Sequence, residues 1–261
     1  MAEDTVLFEL DRKGRATVTL NRPEAHNAFD DSTIRRLGDT FEGIRGQSDV
    51  RVVVLAGRGK SFSAGGDLNW MRRMAAMTEE ENLADALVLA RLMRGLDELP
   101  VPTIARVHGA AMGGGVGLAS CCDVVVAAEG AVFSLSEVRI GLIPAVVSPY
   151  VIAAIGARQA RRYFMTAERF DAAEALRIGL AHVVVPSERL DSTVDSVVES
   201  LLAGGPEAIR ATKDLALEVD GRVSEELMRE TAARIARARA SPEGREGVAA
   251  FLEKRAPKWR G

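Results

Sequence analysis

The spacing of hydrophobic and polar residues divides the chain into a strand-rich first part and a helical last part. Apolar stretches bounded by turn residues predict strands near residues 5–10, 15–20, 51–56, 103–107, 123–127 and 131–134. Helical spacing predicts helices near residues 31–46 and 80–98 and again from about Pro186 onward, with breaks at Gly204-Gly205-Pro206 and Ser241-Pro242. This order of elements favours an α/β fold with a helical C-terminal region.

One uncharged stretch, from Ile140 to Ala157, could be mistaken for a membrane span. Pro144, Pro149 and Gly156 interrupt it, and it is shorter than the roughly 20 apolar residues that cross a bilayer. We therefore expect no membrane association, and we expect this stretch to form a buried loop and helix beside the ligand pocket. The sequence shows no apolar leader, so the expected compartment is the cytoplasm.

The most informative motif is the glycine-rich segment Val107–Leu118, which joins an apolar strand to an apolar helix. Glycines let a ligand approach the backbone closely, and a helix N-terminus presents free N–H groups to negative charge. The dinucleotide pattern G-x-G-x-x-G does not fit, because the sixth position from Gly113 is Leu118. Gly59-Lys60-Ser61 lacks the upstream glycine of a phosphate-binding loop. A developing oxyanion is the other ligand of this chemical type.

A second turn of small residues, Phe62–Leu68, follows the predicted buried strand Val52–Ala56 and leads into a helix. Two strand-to-helix turns of this kind could direct their amides at one oxygen atom. The alternative is that both are tight turns in which glycine only permits close packing. The residues alone leave both alternatives open.

Several motifs, taken in order, resemble those of the enoyl-CoA hydratase/isomerase (crotonase) superfamily over nearly the whole chain. They are Ser61–Leu68, His108–Gly115, Cys122-Asp123, Ser136–Pro144, Ala172–Leu180 and Ser241–Gly247. The resemblance implies an α/β fold in which a crotonase-like spiral of ββα units over residues 1–200 holds the acyl-CoA site. It also implies a C-terminal helical trimerisation region over residues 201–261, and hence a homotrimer or a hexamer.

The same resemblance implies roles for individual residues. Gly66 and Gly114 fall where the family uses two amides to bind the thioester oxygen, and Glu137 falls at the position of the acid/base glutamate. Burial among apolar neighbours would raise the pKa of Glu137 and suit proton transfer near neutral pH. The other positions implied to contact the acyl-CoA are Ala28, Lys60, Ala64, Gly65, Asp67, Leu68, Gly113, Gly117, Arg139, Phe251 and Lys254.

Four of these positions carry specific expectations. Lys60 and Lys254 are expected near the phosphates of CoA. Phe251 and Lys254 lie three residues apart on a predicted helix and could point at one ligand, although Phe251 could instead belong to the core. Arg139 could pair with an acyl carboxylate, or it could form a surface salt bridge.

The sequence departs from the family pattern at Gly117, where two-carboxylate hydratases have their second glutamate. We expect Gly117 to leave a gap, and we expect the pocket to suit a bulkier or acidic acyl group. The runs Gly117–Asp123 and Leu135–Pro149 resemble a bacterial branch associated with methylglutaconyl-CoA hydration. Three functions follow: hydration of a branched or carboxylated enoyl-CoA, Δ3,Δ2-enoyl-CoA isomerisation with Glu137 alone, or acyl-CoA binding by a catalytically weak paralogue.

Composition and net charge argue against several classes of partner and cofactor. The net charge of -3 and the pI near 5.8 argue against a nucleic-acid partner, because such surfaces are usually strongly basic. Cys121 and Cys122 are adjacent and cannot form an ordinary disulfide, and the three histidines lack the spacing of a metal site. No cofactor is expected apart from coenzyme A, which is part of the substrate.

Overall fold

The structure, a computed structural model, describes residues 4–219 and 224–260. Its strands are β1 (Val6–Leu10), β2 (Arg15–Leu20), β3 (Val52–Gly57), β4 (Thr103–Val107), β5 (Ala110–Met112), β6 (Val124–Ala128), β7 (Val132–Ser134), β8 (Phe170–Asp171) and β9 (Val183–Val185). Its α-helices are α1 (Asp31–Arg45), α2 (Leu68–Met74), α3 (Glu79–Asp97), α4 (Gly114–Ser120), α5 (Ser148–Thr166), α6 (Ala172–Ile178), α7 (Leu190–Leu202), α8 (Pro206–Glu218), α9 (Glu225–Ala240) and α10 (Pro242–Leu252).

The strands form two sheets. The larger sheet has the order β1-β2-β3-β4-β6-β9, and the smaller has the order β5-β7-β8. In the larger sheet β1 pairs antiparallel with β2, while the remaining neighbours are parallel. Parallel neighbours require crossover connections, and helices provide them between the successive strand pairs. The described elements thus confirm the α/β spiral of ββα units, with helices at the C-terminal end.

Strand β3 shows why this sheet is central to the protein. All six of its residues are buried, because helices cover both faces of the sheet. Val53 and Leu55 pack into the main core, whereas Val52 and Val54 face the opposite side and pack in the cluster that includes Val194 of α7. An unbroken apolar run in place of alternation is typical of a central parallel strand.

The glycine-rich segment forms a strand and a helix joined by one residue. Met112 N–H donates to Ser63 O at 2.9 Å, which ties β5 to the second small-residue turn. Gly113, with a φ of 49°, reverses the chain, and α4 begins at Gly114. Gly113 N–H donates to Ser134 O of β7 at 2.8 Å. The first turn of α4 is therefore held between β7 and the turn that contains Ser63.

The elements that were predicted from spacing are confirmed, but the short strands β5, β8 and β9 were not predicted. The expectation for the stretch Ile140–Ala157 is wrong in its first half. Ile140, Leu142 and Ile143 are exposed, because a short helix ends at Gly141, with a φ of 76°, and the chain then crosses the surface until α5 begins. Within the described residues, no helix combines the length and the apolar character needed to cross a membrane.

Candidate active site

The two small-residue turns are in direct contact. A Cβ atom built on Gly65, which has a φ of 85°, would lie 2.8 Å from Met112 O and 3.7 Å from Gly114 N. Any side chain at this position would therefore push the glycine-rich segment around Met112 and Gly114 away. Glycine is required here both by the backbone conformation and by the close approach of the two turns.

Each turn presents one unused amide. Within the described parts of the chain, neither Gly66 N–H nor Gly114 N–H has a hydrogen-bond acceptor. Gly114 is the first residue of α4, so its N–H belongs to the set that no intrahelical carbonyl can satisfy. Two amides on adjoining turns can donate to one oxygen atom, which is the geometry that stabilises a developing oxyanion.

Glu137 lies beside this pair of turns. It begins the short 3-10 helix Glu137–Ile140, and its Oε1 atom is 3.0 Å from the position that a Cβ of Gly113 would take. The Oε2 atom is buried and has no hydrogen-bond partner among the residues that the structure describes. Burial raises the pKa of Glu137, and a hydrogen bond from its own backbone N–H only partly offsets this effect. A carboxyl group in this state suits general acid/base chemistry near neutral pH.

Gly117 does not leave the gap that the sequence suggested. A Cβ atom at this position would lie 2.3 Å from Val147 Cγ1 and 3.3 Å from Met93 Cε, and Gly117 itself is buried. The expectation of open space at Gly117 is therefore wrong, because the Val147 side chain fills that space. A substrate contact at Gly117 stays a prediction. The Glu137 carboxylate therefore lies beside the residue that precedes α4, and the Val147 side chain packs on Gly117 within α4.

The sequence matches the family described as enoyl-CoA hydratase/isomerase over residues 11–261. The chain belongs to the enoyl-CoA hydratase/isomerase family. A protein from Thermus thermophilus named as an enoyl-CoA hydratase is 34% identical over 253 residues, which are 97% of this chain and 100% of the relative. A crotonyl-CoA hydratase from Syntrophomonas wolfei is 33% identical over 257 residues, covering 98% of this chain and 97% of the relative.

Solved structures of family members agree with the fold. One described as an enoyl-CoA hydratase/isomerase (crotonase) from Legionella pneumophila matches with a TM-score of 0.94 and 45% identity, over 99% of this chain and 100% of that chain. The enzyme is thus an enoyl-CoA hydratase/isomerase with the crotonase fold.

Asp67 has a structural role in this enzyme. Its side chain caps α2 by accepting hydrogen bonds from Asn69 N–H at 2.8 Å and Trp70 N–H at 3.3 Å, and it forms an ion pair with Arg22 at 3.0 Å. Burial would raise the pKa of Asp67, but these hydrogen bonds outweigh it and hold the pKa below the usual range. Because both carboxylate oxygens are engaged, a substrate contact through this side chain is not supported.

The neighbouring candidates differ in exposure. Leu68 is 71% exposed, while Ala28 is buried. Ala64 N–H donates to His26 O at 2.9 Å, and Ala28 O accepts from Arg22 at 2.8 Å, so both residues belong to the loop contacts around Gly65. The structure thus brings Ala28 and Ala64 to the two turns that carry Gly66 and Gly114, named the oxyanion turns for their expected role, with Leu68 on the adjoining surface.

Lys60 and Arg139 are both exposed basic residues. Their side chains make no hydrogen bond or ion pair within residues 4–219 and 224–260, so the salt-bridge alternative for Arg139 has no support there. Arg139 lies on the same short helix as Glu137, two positions further along the chain. The loop that carries Lys60 adjoins the glycine-rich segment, because a Cβ on Gly109 would lie 1.9 Å from Lys60 O.

The expectations for the last helix need correction. Helix α10 ends at Leu252, so Lys254, which has a φ of 55°, lies beyond the helix and does not share a helical face with Phe251. Phe251 is 82% exposed, which excludes the alternative that it belongs to the core of this chain. Within residues 4–219 and 224–260, no backbone hydrogen bond joins either residue to Glu137 or to the turns that carry Gly66 and Gly114.

The resemblance pointed to Ala28 in the loop before α1, but sequence reasoning missed its neighbours Asn27 and Phe29. Asn27 is buried, and its side-chain amide donates to Ser61 O at 2.7 Å, while its Oδ1 accepts from Arg22 N–H at 2.9 Å. Phe29 pairs with Gly66 in an isolated parallel bridge. The only available signal was the run Asn27-Ala28-Phe29-Asp30 before α1, whose Asp30 is the helix N-cap.

The structure gives no metal-binding arrangement in the described part of the chain, where no group of three or more His, Cys, Asp or Glu residues is suitably placed. His108 instead supports the glycine-rich segment, with its Nε2 atom 2.9 Å from Gly59 O. Cys121 and Cys122 are free and buried. Burial raises the pKa of the Cys122 thiol to about 12, so it is an inert core group.

Proposed function

We propose that the enzyme hydrates an α,β-unsaturated acyl-CoA, with Glu137 as the only protein carboxylate that acts on the acyl chain. One observation carries the proposal. The Glu137 carboxylate lies against Gly113, the residue immediately before the unused amide of Gly114. An acid/base group and an oxyanion donor are therefore adjacent, as addition to an enoyl thioester requires.

In the proposed reaction the thioester oxygen accepts hydrogen bonds from Gly66 N–H and Gly114 N–H. This draws electron density from the β-carbon, which a water molecule attacks. Glu137 accepts a proton from that water and supplies a proton to the α-carbon, so the enolate collapses to the β-hydroxyacyl thioester and the carboxyl group returns to its starting state. One amide donor of this kind is worth roughly 3 kcal/mol in the transition state.

We further propose a branched or carboxylated acyl group, of which methylglutaconyl-CoA is an example. Arg139 supports this, because its guanidinium is exposed, lacks a partner within the described residues and follows Glu137 by two positions. A guanidinium recognises a carboxylate through two parallel hydrogen bonds. The proposed occupant is a carboxylate at the far end of the acyl chain.

Isomerisation of the double bond from the β,γ to the α,β position is the second candidate. Val147 favours it, because this apolar side chain fills the space beside Gly117 where a second carboxylate would hold water. A single carboxylate can move a proton between the α- and γ-carbons without an attacking water. Both candidates use the same residues, and they differ in whether water enters the product.

We propose that the enzyme assembles as a trimer or a hexamer through its C-terminal helices, and that Lys60 and Lys254 contact CoA phosphates. Exposed apolar residues on the last two helices support the assembly: Met228, Ile235, Val248, Phe251 and Leu252. Removing such side chains from water is favourable at about 25 cal/mol per Å² of apolar surface. Sedimentation of the purified protein would give the mass of the assembly directly. The division at residue 200 and the cytoplasmic location stay predictions.

The decisive experiment incubates the enzyme with crotonyl-CoA, methylglutaconyl-CoA and a β,γ-unsaturated hexenoyl-CoA in deuterated water, followed by mass spectrometry. We expect a β-hydroxyacyl product that carries one added water, formed most rapidly from methylglutaconyl-CoA. Migration of the double bond without added water would favour isomerisation. Tight binding without turnover of any thioester would instead indicate a catalytically weak acyl-CoA-binding protein and would overturn the proposal.

A further inference from the structure

Phe29 contacts both of the turns that carry Gly66 and Gly114. It is 1% exposed and lies in the loop between the left-handed residue Asn27 and the N-cap of α1. Its backbone contacts the turn of Gly65 and Gly66, and its ring contacts Gly114. The side chain and the peptide groups of Phe29 thus contact both turns whose amides are proposed as donors.

The backbone of Phe29 fixes the direction of the Gly66 amide. Phe29 N–H donates to Gly65 O at 2.6 Å, and Asp67 N–H donates to Phe29 O at 2.7 Å. In a trans peptide the carbonyl and the following N–H point in opposite directions in one plane. The bond to Gly65 O therefore orients the peptide unit that carries Gly66 N–H, and the bond from Asp67 holds the next unit.

The ring of Phe29 fixes the position of the other donor. Its Cε2 and Cδ2 atoms lie 2.6 and 3.0 Å from the point that a Cβ of Gly114 would occupy. The ring is therefore packed against the Cα of Gly114, whose N–H is proposed to donate to the thioester oxygen. Removal of the ring would open space beside the Cα of Gly114.

We propose that Phe29 is a positioning residue that sets the spacing and direction of the Gly66 and Gly114 amides. This inference rests on the proposed oxyanion role of the two glycines. The ring has no polar atom that could donate to the thioester oxygen, so in this proposal it acts through its contact with Gly114. Loss of the ring then weakens polarisation of the thioester and lowers the rate, while affinity for the rest of the acyl-CoA is retained.

The test compares Phe29→Leu and Phe29→Met with Phe41→Leu. Phe41 is 1% exposed in the same core but lies on α1, and it contacts neither glycine, so its variant controls for loss of an aromatic ring from the core. Methionine conserves most of the volume and keeps the experiment informative if the leucine variant folds poorly. All three leave the backbone hydrogen bonds of residue 29 available.

Two quantities are measured for each folded variant: kcat and KM with the best enoyl-CoA, and the absorption of bound p-dimethylaminocinnamoyl-CoA. That chromophore absorbs at longer wavelength when its thioester oxygen accepts hydrogen bonds. We expect Phe29→Leu to lower kcat about 10-fold or more with little change in KM, and to reduce the wavelength shift. Phe41→Leu should lower Tm by a similar amount and leave both quantities close to wild type.

A wavelength shift in Phe29→Leu and Phe29→Met equal to that of the wild type would overturn the inference, as would equal losses in Phe29→Leu and Phe41→Leu. The absorption measurement does not depend on turnover. If the wild type shifts the chromophore but converts none of the thioesters, the proposed reaction fails and the variants still decide the role of Phe29. A wild type that produces no shift would contradict the oxyanion role and this inference together.

Discussion

Val147 occupies the space into which a side chain at Gly117 would project. Its Cγ1 atom lies 2.3 Å from the position of a Cβ at Gly117, and Val147 itself is only 4% exposed. The β-branched side chain of Val147 therefore covers α4 at Gly117, four residues after the contact between Gly113 and Glu137. The sequence has glycine at position 117, and the packing of α4 leaves no room for a carboxylate side chain there.

The first prediction concerns that packing. Gly117→Ala should lower the free energy of unfolding by about 1–3 kcal/mol, because the added methyl group must displace Val147. Gly117→Glu should be destabilised further and should gain no hydratase activity. Chemical denaturation and turnover of crotonyl-CoA would measure both effects.

Gly43→Ala is the matched control for this prediction. Gly43 lies on an exposed part of α1 with no atom within 4 Å of its Cβ position, so alanine should stabilise the helix by about 0.5–1 kcal/mol. Val147→Ala combined with Gly117→Ala should recover part of the lost stability. A Gly117→Ala variant as stable as the wild type would show that Val147 does not fill this space.

The second prediction distinguishes the two glycines whose amides are proposed to bind the thioester oxygen. A Cβ on Gly66 would meet Trp70 at 3.4 Å, an ordinary contact, whereas a Cβ on Gly114 would meet the Phe29 ring at 2.6 Å. Gly66→Ala should therefore fold normally and retain most of its kcat. Gly114→Ala should shift the α4 amide and lower kcat by roughly 10²-fold, the scale for one lost oxyanion donor. Steady-state kinetics would measure the contrast, and equal rates in the two variants would speak against it.

The third prediction concerns substrate choice. Arg139→Ala should raise KM for methylglutaconyl-CoA about 10-fold or more, because a charged hydrogen-bond pair is lost, and should leave crotonyl-CoA unaffected. Tm should stay constant, since the side chain has no partner within the described residues. Arg139→Lys should recover little, because an ammonium group cannot form the paired contact. Equal losses with both substrates would reject the specificity role.

The sequence predicted the layers of this fold far better than the packing of its site. Long apolar runs such as β3 specify central strands, and the motif glycines marked both turns, because those signals are local. The position of Val147 relative to Gly117 could not be foreseen, since they are 30 positions apart and meet only when α5 packs on α4. The role of Phe29 was hidden for a similar reason. Its ring contacts Gly114, which lies far along the chain and comes close only in the folded protein.

The fourth prediction concerns pH and stability. Burial raises the pKa of Glu137 above its ordinary value of 4.5, so the folded state binds this proton more tightly than the unfolded state does. The group therefore favours folding at low pH, and that contribution is lost as pH rises above 4.5 through the raised pKa. Glu137→Gln should match the wild type in stability below pH 4.5 and exceed it increasingly toward neutral pH.

Glu174 provides a control of opposite sign. Hydrogen bonds from Arg177 and Tyr163 hold the pKa of Glu174 at about 2, so its contribution is present above 4.5 and is lost as pH falls toward 2. Glu174→Gln should be less stable than the wild type at neutral pH, with the difference shrinking in acid. Denaturation at a series of pH values would measure both trends. A Glu137→Gln variant that loses stability at neutral pH would contradict the assigned burial.

The fifth prediction tests whether Glu137 carries the proton. With the thioester that the enzyme converts fastest, Glu137→Gln should lower kcat by about 10²-fold or more, because the amide cannot exchange the proton. Its dissociation constant for the saturated butyryl-CoA should match that of the wild type, and Glu129→Gln, a change at an exposed glutamate after β6, should alter neither quantity. A Glu137→Gln enzyme that turns over at the wild-type rate would contradict the account.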